Sequence, residues 1–159
     1  MIALGCDHAG FPLKEEIIAL LEERGLAYKD FGVHQNERAD YPVYGRKAAE
    51  AVASGECEYG LVFCGTGVGI SISANKVPGI RCVVCSETYS AVLARQHNDA
   101  NMLALGARVV GPGLARMIVS QFLDASFEGG RHAARVALIH EIEQDYLDQI
   151  PSGAEKDVL

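Results

Sequence analysis

Cys64-Gly65-Thr66-Gly67-Val68-Gly69-Ile70-Ser71 is the stretch on which the reading of this chain turns. An apolar run, Tyr59 to Phe63, precedes it and reads as a buried strand. The segment from Ile70 to Lys76 follows it and can turn as a helix. Three alternating glycines let the backbone take positive φ and let a ligand come close to the amides. Amides at a helix start form a concavity that attracts negative charge. A cysteine at such a point is placed for reactivity. One loop therefore offers a candidate base, Cys64, and a candidate anion hole. A tight βα turn whose cysteine simply packs fits the same residues, and the loop alone leaves both readings open.

Outward from this loop, strand and helix patterns alternate. Residues 2–6 read as a short apolar strand, followed by Asp7-His8-Ala9-Gly10. Pro12 opens a helix with Leu13, Ile17, Leu20 and Leu21 at helical spacing, and Gly25 stops it. A weaker strand spans residues 27–31, and an Ala-rich helix runs from Tyr41-Pro42 to about Ser54-Gly55. The fourth strand is expected at 80–85, with Ser86 as N-cap of a helix to about Gln96. The fifth spans 102–105 and ends at Gly106; helices follow from about Pro112 to Leu123 and from Arg131 to about Gln149. Such alternation predicts one α/β domain over residues 1–150, with a polar tail at 151–159. The expected fold is three-layered and Rossmann-like: a five-stranded parallel sheet in the flavodoxin-like order 2-1-3-4-5, helices on both faces and a long C-terminal helix. Ligands of this fold bind where strand order reverses, here between strands one and three. The loops of Asp7-His8 and of Cys64 to Gly69 become neighbours there.

Composition narrows the functions. The chain has 159 residues and a net charge of −7, from 14 basic and 21 acidic residues. That balance argues against nucleic acid or an anionic membrane as partner, but leaves room for a small anion held by a local Arg cluster. No apolar run approaches the ~20 residues of a membrane span. The N-terminus lacks a basic region before its apolar run, so the cytoplasm is the expected compartment. Five cysteines, an odd number, suggest reduced thiols.

Arg131 and Arg135 lie one helical turn apart, where two guanidinium forks suit a phosphate or carboxylate; Glu128 could satisfy them instead. Arg108, among apolar residues at a strand end, needs an anionic partner. His97-Asn98-Asp99 closes the fourth helix, where a histidine often only complements the dipole. His34, His132 and His140 have no companions that point to chemistry. Cys82 and Cys85 are three apart in a strand and point to opposite faces, so they do not form a metal knuckle. The glycine loop is no P-loop and fits the dinucleotide fingerprint poorly, although Glu87 lies about 20 residues on, as a ribose acid would. No metal and no cofactor is expected.

Taken together, several stretches resemble the ribose-5-phosphate isomerase type B family and its galactose-6-phosphate isomerase relatives. They are Gly5-Cys6-Asp7-His8-Ala9-Gly10, Asp40-Tyr41-Pro42, the loop from Cys64 to Ser71, Ala74-Asn75-Lys76 and Gly79-Ile80-Arg81. Arg95-Gln96-His97-Asn98-Asp99-Ala100-Asn101 and Gly129-Gly130-Arg131-His132, with Arg135, complete the set. The resemblance implies a metal-free aldose–ketose isomerase of the pentose phosphate pathway, interconverting ribose 5-phosphate and ribulose 5-phosphate through an enediolate. It implies Cys64 as the base, Thr66 as its hydroxyl helper, and the amides of Gly65, Gly67, Val68, Gly69 and Ile70 as the anion hole. Asp7 and His97 resemble residues that bind and open the furanose ring, and Asn98 a ligand of a substrate hydroxyl. His8, Arg108, Arg131 and Arg135 resemble phosphate ligands. One branch of the family places a Glu base where this chain has Ile70, which cannot accept a proton.

Other readings stay open: an isomerase of allose 6-phosphate or galactose 6-phosphate, or a non-catalytic module for sugar phosphates or nucleotides. At least a homodimer is expected, with a dimer of dimers as a further option. In the order 2-1-3-4-5, Arg108 would sit toward the far edge, about 10 Å from strand three. A two-fold axis would bring the second chain's His97, Asn98 and Arg108 over Cys64, with Val136, Ile139 and Ile142 available to pack on the partner.

Overall fold

The computed structural model describes residues 1–35 and 37–149, so the tail expected at 151–159 lies outside the described residues. Strand β1 (Ile2–Cys6) is buried along its whole length, as a central parallel strand must be. Helix α1 (Phe11–Glu23) carries Pro12 in its first turn and buries Leu13, Ile17, Leu20 and Leu21 on one face. Strand β2 (Tyr28–Asp30) is short and only half-buried, the habit of an edge. The alternation continues with α2 (Tyr41–Ala53), β3 (Tyr59–Cys64), α3 (Val68–Ala74), β4 (Cys82–Val84), α4 (Thr88–Asn98), β5 (Met102–Gly106), α5 (Pro112–Asp124) and α6 (Arg131–Leu147). None of the described helices is long and apolar enough to cross a membrane.

All strand pairs are parallel, and the sheet order is β2-β1-β3-β5-β4. The expected order 2-1-3-4-5 is thus corrected at its last two places. Burial decides the exchange. Strand β5 is buried at all five positions and pairs with β3 from Gly60↔Met102 to Cys64↔Gly106. Strand β4 has three residues, and its last, Val84, is largely exposed. The fully apolar strand takes the centre, and the short one takes the edge.

Side chains of β3 alternate between two cores. Leu61 and Phe63 join α1, α4 and α5 on one face. Val62 and Cys64 join α2 and α3 on the other, with Ile70 and Ala48. The N-cap of α4 is Glu87 rather than Ser86; its carboxylate accepts the Ser90 amide at 3.0 Å. Capping accounts for Glu87 and removes the case for a ribose acid. Helix α6 buries only His132 and Val136. Val136 therefore packs within its own chain, whereas Ile139 and Ile142 of the expected contact face are open.

Two close approaches fix the end of β3. A Cβ on Gly10 would stand 2.2 Å from the Phe63 carbonyl oxygen. One on Gly106 would stand 2.6 Å from the backbone of Thr66. Lys14, fully buried, secures the neighbouring loop: its ammonium binds the Asp30 carboxylate and donates to the Val33 carbonyl at 2.8 Å. Burial pulls the Lys14 pKa down, but the Asp30 hydrogen bond and charge outweigh it and hold it above the ordinary 10.5.

Gly106→Ala is expected to destabilise by about 1–3 kcal/mol through overpacking against Thr66. Gly113→Ala, where an added Cβ meets nothing within 4 Å, is the matched control and should leave the urea midpoint unchanged or slightly raised. Equal midpoints for both variants would contradict the close approach. Lys14→Met removes one partner of a buried pair and should cost about 3–5 kcal/mol at neutral pH. Because the folded pKa of Lys14 is raised, the pair's contribution is present below the unfolded Lys value and is lost as pH climbs through the folded one. The gap between wild type and Lys14→Met in urea melts should therefore hold from pH 7 to 9 and close only above about pH 10.5.

Candidate active site

Two clusters emerge, one at each end of the sheet. At the carboxyl end, the Cys64 side chain is buried, and its Sγ accepts the Gly67 amide at 3.1 Å. Gly67 has φ +80°, the left-handed turn that aims its N–H back at the sulfur and lets α3 begin. The first-turn amides of α3 lack intrahelical acceptors by construction; that of Val68 leans on Thr66 Oγ1 at 3.4 Å. Thr66 and Val68 are exposed, whereas the Ile70 side chain is fully buried against α2, leaving only its amide to a ligand.

Arg108 reaches the same loop from the next strand. Its amide donates to the Gly65 carbonyl at 3.0 Å, and its guanidinium lies against Gly65. The expectation that Arg108 arrives from a second chain is therefore corrected: β5 lies beside β3, so Arg108 and Cys64 share one chain end. Nor is Arg108 enclosed by apolar residues; it is exposed and has no carboxylate partner among the described residues. From β1 come Asp7 and His8. The Asp7 carboxylate accepts the Gly10 amide at 2.9 Å and so caps its own turn. His8 Nδ1 lies 3.2 Å from the Ala39 amide nitrogen and 3.3 Å from the Ala39 carbonyl oxygen, which fixes the ring against that residue. Tyr41, to which the sequence reading gave no task, lays its ring on Gly69; a Cβ there would come within 2.6 Å of it. Its only signal was its place in Asp40-Tyr41-Pro42.

The second cluster stands at the amino end. The C-terminus of α4 is clamped by two arginines on Asp99, a residue in the left-handed conformation at φ 45°. Arg95, buried, donates to Asp99 Oδ1 at 2.9 Å, to the Ala100 carbonyl and to the Tyr59 hydroxyl at the start of β3. Arg81 donates to Asp99 and to the Asn98 carbonyl. This clamp presents His97 and Asn98 beside the start of α6, and the Glu128 amide docks on the Gln96 carbonyl. His97 and His132 stack at 4.1 Å, and Glu128 stands 3.8 Å from both rings. The sequence reading gave His132 no companions; the structure corrects this, since the partner is brought by tertiary packing. Burial, then the nearby His97 and Arg131, hold the His132 pKa below 6.5 against the pull of Glu128. Arg131 and Arg135 are exposed and form no ion pair among the described residues; Glu128 serves the histidines instead.

Within one chain, then, Asp7, His8, Cys64, Thr66 and Arg108 meet at the carboxyl end. His97, Asn98, Arg131 and Arg135 meet at the amino end, about 20 Å away along six residues of β3.

Residues 2–139 match the family model described as Ribose/Galactose Isomerase. The chain is 61% identical over 143 residues to ribose-5-phosphate isomerase B of Escherichia coli, covering 90% of this chain and 96% of that one. It is 45% identical over 139 residues to D-erythrulose-4-phosphate isomerase of Pectobacterium atrosepticum, covering 87% and 91%. Among solved structures, ribose-5-phosphate isomerase B of Clostridium thermocellum superposes with a TM-score of 0.90 at 59% identity, covering 91% of this chain and 98% of that one. By sequence and by fold, the chain belongs to the ribose/galactose isomerase family.

Proposed function

We propose that this chain is an aldose–ketose isomerase that interconverts ribose 5-phosphate and ribulose 5-phosphate, with Cys64 as the base. The observation that carries the reading is the Cys64 sulfur facing the Gly67 amide at the mouth of an amide-rich loop, with Arg108 beside it. Its relation to the Escherichia coli and Clostridium thermocellum isomerases selects the pentose. D-erythrulose-4-phosphate isomerase, at 45% identity, shows that sugars of other lengths are handled on this scaffold, so hexose 6-phosphates remain the second reading.

The chemistry follows from the groups present. His97 takes the anomeric hydroxyl proton as the C1–O4 bond breaks and passes it to O4, with Asp7 binding the ring. The Cys64 thiolate then removes the C2 proton of the open aldose. Charge passes to O1, where the amides of Gly65, Gly67, Val68, Gly69 and Ile70 receive it. Thr66 relays the proton from O2 to O1, and Cys64 returns its proton to C1, leaving a carbonyl at C2. Asn98 orients a hydroxyl. His8, Arg108, Arg131 and Arg135 hold the phosphate, so that remote binding energy positions the reacting carbons.

A homodimer with shared sites completes this list. One chain leaves its two clusters at opposite ends of the sheet, and a two-fold axis can lay the amino-end cluster of one copy over the carboxyl-end cluster of the other. Helix α6 leaves Leu138, Ile139, Ile142 and Tyr146 exposed for such contact. Five free cysteines fit a cytoplasmic setting.

Cys64→Ala should lower kcat by about 10²–10⁴-fold with KM little changed, measured by ketose formation from ribose 5-phosphate. Substantial activity in the purified variant would remove Cys64 from the role of base. Cys64→Ala and His97→Asn chains, each inactive, should on equal mixing and subunit exchange regain about a quarter of wild-type activity, since half of random dimers hold one intact site. No recovery after proven exchange would place the whole site in one chain.

A further inference from the structure

His132 has no task in this chemistry, yet its buried ring touches two residues that do. It stacks on His97, with ring centroids 4.1 Å apart and planes parallel to within 4°. Its Nε2 accepts Arg131 Nε at 3.3 Å. A guanidinium only donates, so Nε2 offers its lone pair and a neutral His132 carries its proton on Nδ1. Burial, then the nearby His97 and Arg131, with a smaller push from Arg135, hold the His132 pKa below 6.5 against the pull of Glu128. The ring is therefore neutral at pH 7 and keeps the lone pair that Arg131 uses.

Each contact fixes something that the backbone alone leaves free. The Arg95–Asp99–Arg81 clamp holds the end of α4, but the imidazole of His97 could still rotate about its side-chain bonds. The parallel ring of His132 sets its plane. Glu128 Oε2, 3.8 Å from Nε2 of both rings, supplies a counter-charge when His97 takes a proton. A neutral His132 adds no repulsion to that step. Arg131, the first residue of α6, is exposed, and its long stem has many rotamers. Tying its Nε to His132 orders the stem and leaves both Nη groups for an oxyanion.

We propose that His132 is a positioning residue with two duties: it sets the ring plane of His97 for ring opening, and it holds Arg131 ready for the phosphate. The proposal rests on the roles given above to His97 and Arg131. Both belong to the amino-end cluster, so the joint works within one chain whichever copy supplies Cys64. One duty uses the face of the ring and the other its Nε2 edge. Substitution can therefore separate them.

His132→Phe keeps a flat ring for the stack and removes the acceptor. His132→Gln keeps an acceptor oxygen and removes the ring. In the full chain, His132→Phe should raise KM for ribose 5-phosphate and the inhibition constant of inorganic phosphate at least about fivefold, with kcat within about twofold of wild type. His132→Gln should do the reverse, lowering kcat about ten- to a hundredfold and leaving inhibition by inorganic phosphate within about twofold. The same changes in both variants, or none in either, would reduce His132 to a structural residue and overturn the proposal. Nitrogen-resolved NMR of the wild-type imidazoles needs no variant to fold: at pH 7 His132 should be neutral with its proton on Nδ1, and a proton on Nε2 overturns the hold on Arg131. Two controls test the roles beneath. A fully active His97→Asn, or phosphate inhibition unmoved in Arg131→Ala, would strike those roles and the proposal with them. Loss in both controls without the split between His132→Phe and His132→Gln overturns the proposal alone.

Discussion

Everything at the carboxyl end depends on how closely the backbone of β3 is approached from both sides. Gly10 faces the Phe63 carbonyl, and Gly106 faces Thr66, at distances that admit no side chain. The missing Cβ atoms let β1 and β5 deliver their following loops onto the last residue of β3. Asp7 and His8 come from one side and Arg108 from the other, with Cys64 between them. A wider spacing would still permit a parallel sheet, but the cysteine would lose its flanking groups. The site is thus built first by backbone contact, and only then by side chains.

The amino end is built on the opposite principle. There a single carboxylate, Asp99, takes two guanidiniums, and its left-handed conformation turns the chain from α4 into β5. Arg95 also lies over the Tyr59 and Phe122 rings, at 4.7 Å and 5.8 Å, so the clamp is anchored in the core. Charge held within an apolar setting gives a directional fixture, which suits a helix end that must present a histidine at a set angle.

Much of this was legible in the sequence, for definite reasons. The strand before Cys64, the glycine loop and the first helix declare themselves through apolar runs, Pro12 and Gly25. The order of the last two strands did not. Strands adjacent in sequence usually pair, and that rule favoured 2-1-3-4-5. The overriding signal lay in the unbroken Met102-Leu103-Ala104-Leu105-Gly106, apolar on both faces and small at Ala104 and Gly106, which suits a centre better than Cys82-Val83-Val84 does. That one exchange moved Arg108 to the side of Cys64. The pairing of His97 with His132 was illegible because the two are 35 positions apart on separate helices and meet only through α4–α6 packing. The N-cap at Glu87 was missed because serine is the commoner cap and stands one place earlier.

The separation of the two clusters by the length of β3 also bears on how catalytic capacity scales with the amount of protein. If the groups at the two poles act together, as proposed above, a single chain carries a full inventory and no assembled site. Where sites are shared, their number follows the population of paired chains. Below the dissociation constant of the pair, mass action makes that population fall with the square of total concentration. Halving the chain would then quarter the flux, a steeper dose response than an enzyme with self-contained sites shows. Tight pairing would remove that sensitivity, and the open apolar face of α6 supplies surface for it.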